Sequence, residues 1–316
     1  MKAIVYHKSG SGDVLRLAEI DQPVPEEDQI LIKVRAASVN PLDYHLLRHR
    51  FLRRMMGGKR PGRDVAGQVE AVGTKVTQFK PGDEVFGASA GAFAEYACPK
   101  ESDAAIKPPG VLFEQASATP IAGLTALQGL RDHGQLQPGQ KVLINGASGG
   151  VGTFAVQIGK WLGAEVTGVC SGRNVELVRS LGADHVIDYT REDITSRGQK
   201  YDLLFDLVAN QSFSKRRSIL TAEGRYVGAG LLGRKLWLPD VLVGGIAESV
   251  RSAFVSQKFG SFVAKLNQKD LATMGALIEE GKLTPVIDRR YSLSEVPEAV
   301  NYVEQGHARG KVIITL

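Results

Sequence analysis

The stretch "KVLINGASGGVGTFAVQIGKWLGAEVTGVCSGRNVE", residues 141–176, decides the fold of this chain. Its pattern is an apolar strand, a glycine-rich turn, a helix with apolar residues three and four positions apart, and a second apolar strand. Strands and helices continue to alternate with short links to about residue 230. Such alternation indicates a parallel sheet covered by helices on both faces. The sequence therefore predicts an α/β fold with a doubly wound parallel sheet.

The turn after the first of these strands has the pattern of a dinucleotide-binding loop. Counting back from Gly149 and Gly152, a G-x-G-x-x-G pattern would begin at Ala147, so the motif has alanine at its first position. Glycine permits a sharp turn and a close approach of pyrophosphate, and the start of the following helix offers free N–H groups. The alternative is a tight turn without a ligand. We predict that the cofactor contacts five consecutive residues: Ala147, Ser148, Gly149, Gly150 and Val151.

The end of the second strand lacks the acidic residue that holds the adenine ribose in NAD-binding sites. Glu165 stands at the opposite end of the strand, and the residues that follow the strand include Ser171 and Arg173. A neutral donor and a cation suit the 2′-phosphate of NADPH, which a carboxylate would repel. Tyr189, after the third strand, could cover the same phosphate or the adenine edge. The prediction is NADPH as cofactor, and the alternative for Arg173 is a plain surface arginine.

Length and composition limit what the chain can be. Its 316 residues suit two domains, and a content of 43% apolar and 23% charged residues is typical of a soluble globular protein. No uninterrupted apolar run approaches the length of about 18 residues that a membrane span needs, and "MKAIVYHKSG" does not resemble a signal peptide. Two cysteines fit a reducing compartment rather than a disulfide framework. We therefore expect no membrane span and a cytoplasmic location.

The parts of the chain outside the middle region differ in character. The first 110 residues contain short β patterns such as "KAIVYH" and "QILIKVRAASV" broken by glycines, which predicts a small β-barrel. Near the end, a helix pattern in "DLATMGALIEEGKL" precedes a strand, "KVIITL". Residues 46–63 carry basic side chains and no acid. A solvated loop is the plain interpretation, and an anionic substrate, a membrane surface or a nucleic acid are alternatives. We do not expect a nucleic-acid partner.

Several motifs in order along the chain resemble one family. They are "VNPLD" (39–43), "GRDVAGQVEAVG" (62–73), "PGDEVFG" (81–87), "GLTALQGL" (123–130), "GASGGVG" (146–152) and "RGKVIITL" (309–316). This set resembles the zinc-free quinone oxidoreductases of the medium-chain dehydrogenase/reductase superfamily over essentially the whole chain. The resemblance implies a GroES-like β-barrel catalytic domain formed by residues 1–120 and 263–316. It also implies a Rossmann NADP-binding domain formed by residues 121–262, with catalysis in the cleft between the two.

The chain departs from the zinc-dependent branch of that superfamily at the metal ligands. The resemblance aligns Asn40 with a cysteine ligand, and Gly62, Arg63 and Asp64 with a Gly-His-Glu motif. The cysteine-rich lobe of many zinc relatives is also missing from the sequence. Zinc sites need a close set of cysteine and histidine ligands. The prediction is an enzyme with no metal site.

Without a Lewis acid, the easier chemistry is reduction of a conjugated carbonyl or quinone, in which nearby donors stabilise the charge that moves to oxygen. The resemblance implies that Asn40 lies beside the nicotinamide, that Thr125 lies near its carboxamide and that Lys311 closes over the cofactor. Tyr44 and His45 are candidate donors to the substrate oxygen, with Tyr44 favoured, and the alternative is that both only shape the pocket. Asp43 is expected to cap a helix. Two further residues complete the predicted cofactor contacts: Gly230 and Leu231.

The sequence therefore predicts an NADPH-dependent quinone or enone oxidoreductase acting on a small molecule. An enoyl-thioester reductase is one alternative, and a cofactor-binding relative that binds RNA or serves a structural role is another. The segment "SVRSAFVSQ", residues 249–257, is a candidate sixth strand that could extend the sheet across a homodimer.

Overall fold

The computed structural model describes residues 1–49, 60–229 and 256–316. The chain divides into two compact units, of which unit 1 is Met1–Leu124 with Lys265–Leu316 and unit 2 is Thr125–Ala264. The passage from one unit to the other at residue 124 falls inside a helix, Pro120–Gln128. The domain boundaries predicted from the sequence, after residues 120 and 262, stay predictions.

Unit 1 is built on a mainly antiparallel sheet with the strand order β14-β15-β3-β4-β5-β7, to which β6 is added beside β3. β14 and β15 are parallel to each other, whereas β15 runs antiparallel to β3. A separate antiparallel pair joins β1 to β2. The bounds are β1 Lys2–Val5, β2 Arg16–Glu19, β3 Ile30–Val39, β4 Asp64–Val72, β5 Glu84–Ala88, β6 Tyr96–Ala97, β7 Ala104–Ile106, β14 Ile287–Ser292 and β15 Lys311–Thr315.

The core of unit 1 forms where aliphatic residues of these strands meet aromatic residues such as Phe93, which lies between β5 and β6. Ile32 and Val34 of β3 share one face with each other because side chains alternate along a strand. Both are buried in one cluster with Val65, Phe93 and Val312. The β-rich fold expected from the short β patterns is confirmed, and this sheet is the one that the resemblance implied for the GroES-like domain.

Unit 2 contains a parallel sheet of six strands with the order β10-β9-β8-β11-β12-β13. The first strand in sequence, β8, lies inside the sheet, and the chain winds outward from it in both directions. This is the order of a Rossmann fold, in which the ligand lies beyond the carboxyl ends of the central strands. The bounds are β8 Lys141–Asn145, β9 Glu165–Cys170, β10 His185–Asp188, β11 Tyr201–Asp206, β12 Leu220–Ala229 and β13 Lys258–Phe262.

The sixth strand of unit 2 differs from the sequence-based candidate. Of the segment 249–257, residues 249–255 lie outside the described ranges, and Ser256 and Gln257 precede the strand rather than form it. The strand is Lys258–Phe262, parallel to β12. Its sequence, KFGSF, has two aromatic residues but no long apolar run, which explains why the pattern of strands did not single it out.

The α-helices connect and cover these sheets. Helix α1 begins at Pro41, where a missing N–H costs nothing, directly after Asn40 in an extended conformation. The bounds are α1 Pro41–Arg48, α2 Phe113–Ser117, α3 Pro120–Gln128, α4 Gly150–Trp161, α5 Val175–Ser180, α6 Phe213–Ser218, α7 Gln268–Glu279 and α8 Val296–Glu304.

The turn between β8 and α4 depends on two glycines. Gly146 has φ +93°, a left-handed conformation that favours glycine. Gly152, in the first turn of α4, lies against the backbone of the turn: a Cβ added there would be 2.1 Å from the carbonyl oxygen of Gly146. The absence of a side chain at Gly152 therefore lets the helix start close to the strand end.

Replacing Gly152 by alanine should destabilise the protein, because the new Cβ would also lie 2.7 Å from backbone atoms of Ala147. Overpacking of this kind costs roughly 1–3 kcal/mol. We expect at least such a loss in the free energy of unfolding, measured in urea. The matched control is Gly260→Ala in β13, where an added Cβ meets no atom of the described residues within 4 Å. Equal losses for both variants would contradict the proposed close approach.

Candidate functional site

The glycine turn of unit 2 combines a buried anchor with accessible residues. Ala147 is fully buried, and its N–H donates to the carbonyl of Val169 at 3.0 Å. The four residues that follow, residues 148–151, are partly exposed. Among the described residues, a Cβ built on Gly149 would meet only the carbonyl oxygen of Gly146, at 3.5 Å, so these residues leave space beside that backbone. An open turn at the start of a twelve-residue helix fits a pyrophosphate group.

The residues after β9 form a second turn near this one. Ser171 is partly exposed and Arg173 is exposed, in a short 3₁₀ segment, Gly172–Asn174. Tyr189 is 60% exposed, and its N–H donates to the carbonyl of Cys170 at 3.1 Å, so the backbone at Tyr189 contacts the end of β9. The structure thus brings Ser171, Arg173 and Tyr189 to one edge of the sheet. Their contact with a cofactor stays a prediction.

An acidic residue missed by the sequence analysis lies beside the same turn. The register pairs Asp188, the last residue of β10, with Cys170. A Cβ added to Gly172 would lie 2.6 Å from Oδ2 of Asp188. The hydroxyl and the backbone N–H of Thr190 donate to Asp188 at 2.7 and 3.0 Å. The hydroxyl hydrogen bond is the main cause that lowers the pKa of Asp188. The carboxylate of Asp188 is therefore hydrogen-bonded to Thr190. It lies beside the end of β9, although β9 itself ends without an acidic residue.

A second residue missed by the sequence analysis links the two turns. Asn174 is 5% exposed, and its Nδ2 donates to Oγ of Ser148 at 2.9 Å and to Oγ of Ser171 at 3.3 Å. Its Oδ1 is buried and accepts no hydrogen bond from the part of the chain that the structure describes. Ser148 and Asn174 are 26 positions apart, so no local pattern signals this contact.

Unit 1 contains a buried polar cluster centred on Asp64, the first residue of β4. Oδ2 of Asp64 accepts from the hydroxyl of Ser38 at 2.9 Å and from Nδ2 of Asn40 at 2.8 Å. Oδ1 accepts from the backbone N–H of Ile121 at 3.1 Å. Burial raises the pKa of Asp64, and the charge of Lys311 is the strongest of the influences that oppose this. Three hydrogen bonds and a nearby cation are what a buried carboxylate needs.

Lys311 closes this cluster from the strand β15. Its Nζ donates to Oδ1 of Asn40 at 2.6 Å and to the carbonyl of Val39 at 3.3 Å. Nζ also lies 3.6 Å from Oδ2 of Asp64. Burial lowers the pKa of Lys311, and the charges of Asp64 and Asp43 oppose that change. The structure thus brings together Asn40 and Lys311, two residues predicted separately, and shows that their side chains bond to each other.

Asp43 caps helix α1, as the sequence analysis expected. Its Oδ2 accepts from the backbone N–H of Asn40 at 2.8 Å. The side chain is 1% exposed, and its Oδ1 accepts no hydrogen bond within the described residues. Burial, helped by the charge of Asp64, raises the pKa of Asp43 to about 7. A carboxyl group with this pKa is partly protonated at neutral pH.

Tyr44 and His45 occupy different environments on α1. Tyr44 is partly buried and packs against the hydrophobic cluster of unit 1. His45 is 5% exposed, and the two ring centroids lie 4.3 Å apart. The alternative from the sequence, that both only shape the pocket, is not tested by this packing. The donor role of Tyr44 or His45 stays a prediction.

The remaining predicted contacts are placed only in part. Thr125 is partly buried in α3, at the first position of unit 2. Gly230 and Leu231 lie outside the described residues, as do residues 50–59 of the basic segment. Of the basic residues that are described, Arg48 forms an ion pair with Glu304 at 2.6 Å. This pair supports a structural interpretation of the start of the segment.

The described residues contain neither a metal-binding cluster nor a membrane-spanning helix. Across residues 1–49, 60–229 and 256–316, no three side chains of histidine, cysteine, aspartate or glutamate are arranged to hold a metal ion. In the same ranges, no helix is both long enough and apolar enough to cross a bilayer. Zinc independence stays a prediction.

The buried carboxyl of Asp43 should make stability depend on pH. Its pKa is about 7 in the folded chain and 3.8 ordinarily, so folding favours the protonated form. The stabilising contribution is then full below about pH 4 and is lost as the pH rises to about 7. Asp43→Asn removes the titration. We expect the free energy of unfolding of Asp43→Asn, relative to the wild type, to rise by up to about 4 kcal/mol over this pH interval. One pKa unit corresponds to about 1.4 kcal/mol.

Urea unfolding at several pH values between 4 and 8 measures this difference. Glu295→Gln is a control with the opposite sign, because hydrogen bonds from Ser292 lower the pKa of Glu295. Its stability should fall relative to the wild type as the pH rises. Parallel curves for wild type and Asp43→Asn would show that Asp43 does not titrate in this range.

Comparison with known proteins gives the family. The chain matches the family model described as the alcohol dehydrogenase GroES-like domain over residues 26–110 and the one described as zinc-binding dehydrogenase over residues 181–314. It is 34% identical to the chloroplastic quinone oxidoreductase QR1 of Triphysaria versicolor, with 99% of this chain and 98% of that protein covered. It is 35% identical to the chloroplastic NADPH-dependent alkenal/one oxidoreductase of Arabidopsis thaliana, with 99% and 79% covered.

A solved structure agrees with these relatives. The Escherichia coli quinone oxidoreductase complexed with NADPH matches this chain with a TM-score of 0.86 at 25% identity, and all of both chains is covered. The curated relatives extend the likeness over nearly the whole sequence, including both units. The chain belongs to the zinc-free quinone oxidoreductase family of the medium-chain dehydrogenase/reductase superfamily.

Proposed function

We propose that this chain is a zinc-independent, NADPH-dependent oxidoreductase that reduces quinones or the activated C=C bond of α,β-unsaturated carbonyls. Oxidoreductase chemistry with a nicotinamide cofactor follows from the family. The cofactor type, the substrate class and the independence from zinc are our proposals. The observation that carries the independence from zinc is the buried cluster of Asn40, Asp64 and Lys311. The choice of NADPH rests on Ser171 and Arg173 of unit 2.

The positive charge and the hydrogen bonds of this cluster both disfavour a bound metal ion, which supports a reaction without one. Asn40 and Asp64 stand where the resemblance places metal ligands of zinc-dependent relatives. In this chain both are hydrogen-bonded to each other, at 2.8 Å, and Asn40 also accepts from Lys311. The ammonium group of Lys311, 3.6 Å from Asp64, would repel a divalent cation. The side chains of Asn40, Asp64 and Lys311 are therefore occupied by contacts with one another. Reduction of a conjugated substrate does not need a Lewis acid.

The residues of unit 2 fit NADPH. Backbone N–H groups near Gly149, at the start of α4, would donate to the pyrophosphate, and Ser171 and Arg173 would donate to the 2′-phosphate. The bound nicotinamide would supply the hydride. Tyr44 or His45 would donate a hydrogen bond to the substrate oxygen as charge develops there, or water would supply the proton.

The names of the relatives are consistent with both proposed substrate classes. One relative is named for quinones and another for alkenals and alkenones. Both plant relatives are named as chloroplastic, so a cytoplasmic location for this chain stays a prediction. The homodimer also stays a prediction.

The substrate class is tested by following NADPH oxidation with simple quinones, enones and enoyl thioesters, and NADP⁺ reduction with ethanol. We expect turnover with quinones or enones, little alcohol oxidation, and no loss of activity after treatment with a strong chelator. Preference for the thioester would favour the enoyl-thioester alternative. Stoichiometric zinc whose removal abolishes turnover would refute the proposal.

Tyr44→Phe tests the proposed donor. Loss of one donor to a developing oxyanion costs about 3 kcal/mol, or roughly a hundredfold in kcat. Tyr302→Phe is the matched control in unit 1, since its hydroxyl bonds to Asp288 at 2.7 Å and no role in the reaction is proposed for it. If turnover is the same in both variants, Tyr44 is not the donor and only shapes the pocket.

NADPH should be preferred over NADH. Hydrogen bonds to charged groups contribute roughly 1.5–3 kcal/mol each, so two contacts, reduced by solvent, should give a ratio in kcat/KM of roughly ten to a thousand. Arg173→Ala should lower the ratio by weakening NADPH, and Ser171→Asp should lower it further by adding a repulsive charge. Arg179→Ala is the control, because this exposed arginine pairs with Glu176 at 2.7 Å. A ratio near one in the wild type would contradict the assignment of the phosphate site.

A further inference from the structure

Asn174 connects the two turns that the proposed function assigns to NADPH. It stands just before α5, and its backbone N–H donates to the carbonyl of Ser171 at 2.8 Å, which fixes it at the end of β9. Its side-chain amide points to Oγ of Ser148 in the glycine turn and to Oγ of Ser171. One buried side chain thus contacts a residue of each turn.

The direction of these hydrogen bonds determines what the serine hydroxyls can do. An amide NH₂ group has two hydrogens to donate and accepts nothing. Each serine oxygen therefore accepts from Asn174, and its own hydrogen must point elsewhere. Neither hydroxyl donates a hydrogen bond within the described residues. Two O–H donors are thereby left for an acceptor such as a phosphate oxygen.

Packing alone does not explain an amide at this position. Oδ1 of Asn174 is buried without a donor in the described ranges, and such a group costs free energy. A leucine of similar size would fill the space without that cost. Hydrogen bonding to the two serines is the interaction that an amide adds.

We propose that Asn174 is a positioning residue that turns the hydroxyl hydrogens of Ser148 and Ser171 outward, toward the pyrophosphate and the 2′-phosphate of NADPH respectively. This inference rests on the proposed function. It predicts that one buried residue affects affinity for both phosphate groups, and that the direction of its hydrogen bonds matters more than its volume.

The test uses two ligands that lack nicotinamide, ADP-ribose and its 2′-phosphate, with dissociation constants measured by calorimetry. Asn174→Asp has nearly the same shape but only accepts hydrogen bonds at neutral pH, so both hydroxyls would turn inward. We expect affinity for ADP-ribose to fall roughly tenfold, for one lost donor to a charged group. Affinity for the 2′-phosphate of ADP-ribose should fall roughly a hundredfold, because two donors to charged groups are lost. Asn174→Ala, which leaves the hydroxyls free to turn, should lose less.

The control is Ser180→Ala at the end of the adjacent helix α5, because the hydroxyl of Ser180 donates to the carbonyl of Leu177 at 2.8 Å. It should bind both ligands as the wild type does. If Asn174→Asp binds both ligands as tightly as the wild type does, the inference is wrong, because the amide then accepts from the hydroxyls. If the wild type binds neither ligand, nor NADPH or NADH, the proposed function itself fails.

A double-mutant cycle gives a second test that does not depend on Asn174→Asp folding. In a Ser148→Ala, Ser171→Ala background, Asn174→Ala should cost no further affinity for the 2′-phosphate, because its effect is exerted through the hydroxyls. An unchanged further loss in that background would show that Asn174 acts through the backbone instead, and would overturn the proposal.

Discussion

The arrangement of unit 1 depends on a buried ion pair with its hydrogen bonds. Lys311 reaches the end of β3 and the start of β4, and its bond to Asn40 joins residues 271 positions apart. A buried charge without partners would be very costly, so Lys311 and Asp64 are tolerable only as neighbours. This requirement fixes where β15 lies relative to β3 and β4. The polar contacts are consistent with the register of β15 with β3 and of β3 with β4. The apolar core packs around these strands.

The two units use polar residues in opposite ways. In unit 1 the amide of Asn40 bonds at both ends, to Lys311 and to Asp64, so its orientation is fixed by the protein. In unit 2, among the residues that the structure describes, the amide of Asn174 bonds through Nδ2 alone, and Ser148 and Ser171 donate no hydrogen bond there. The first arrangement satisfies its own hydrogen bonds, and the second leaves capacity for a ligand. A buried polar group thus indicates a ligand site mainly when its hydrogen-bond partners still have unsatisfied donors or acceptors.

Much of the fold could be predicted because it depends on local patterns. The alternation of apolar strands and helices predicted the parallel sheet, and the glycine spacing located the turn after β8. Strand β14 was missed because its sequence, IDRRYS, is largely charged, as is common at a sheet edge. The polar contacts could not be predicted from pattern alone. Asp188 lies beside Gly172 only because of the register between β10 and β9, and Asn174 meets Ser148 only once the sheet is formed.

The position of β15 in the sheet has a consequence for synthesis of the chain. Residues 311–315 lie between β14 and β3, so the sheet of unit 1 is incomplete until they are translated. All residues of unit 2 have been translated before them. Domains generally fold as units during synthesis, so unit 2 can fold on the ribosome while β3 still has an open edge. That edge is a site for pairing with other chains until β15 arrives. The nascent chain is therefore exposed to pairing at this edge from the translation of β3 until that of β15.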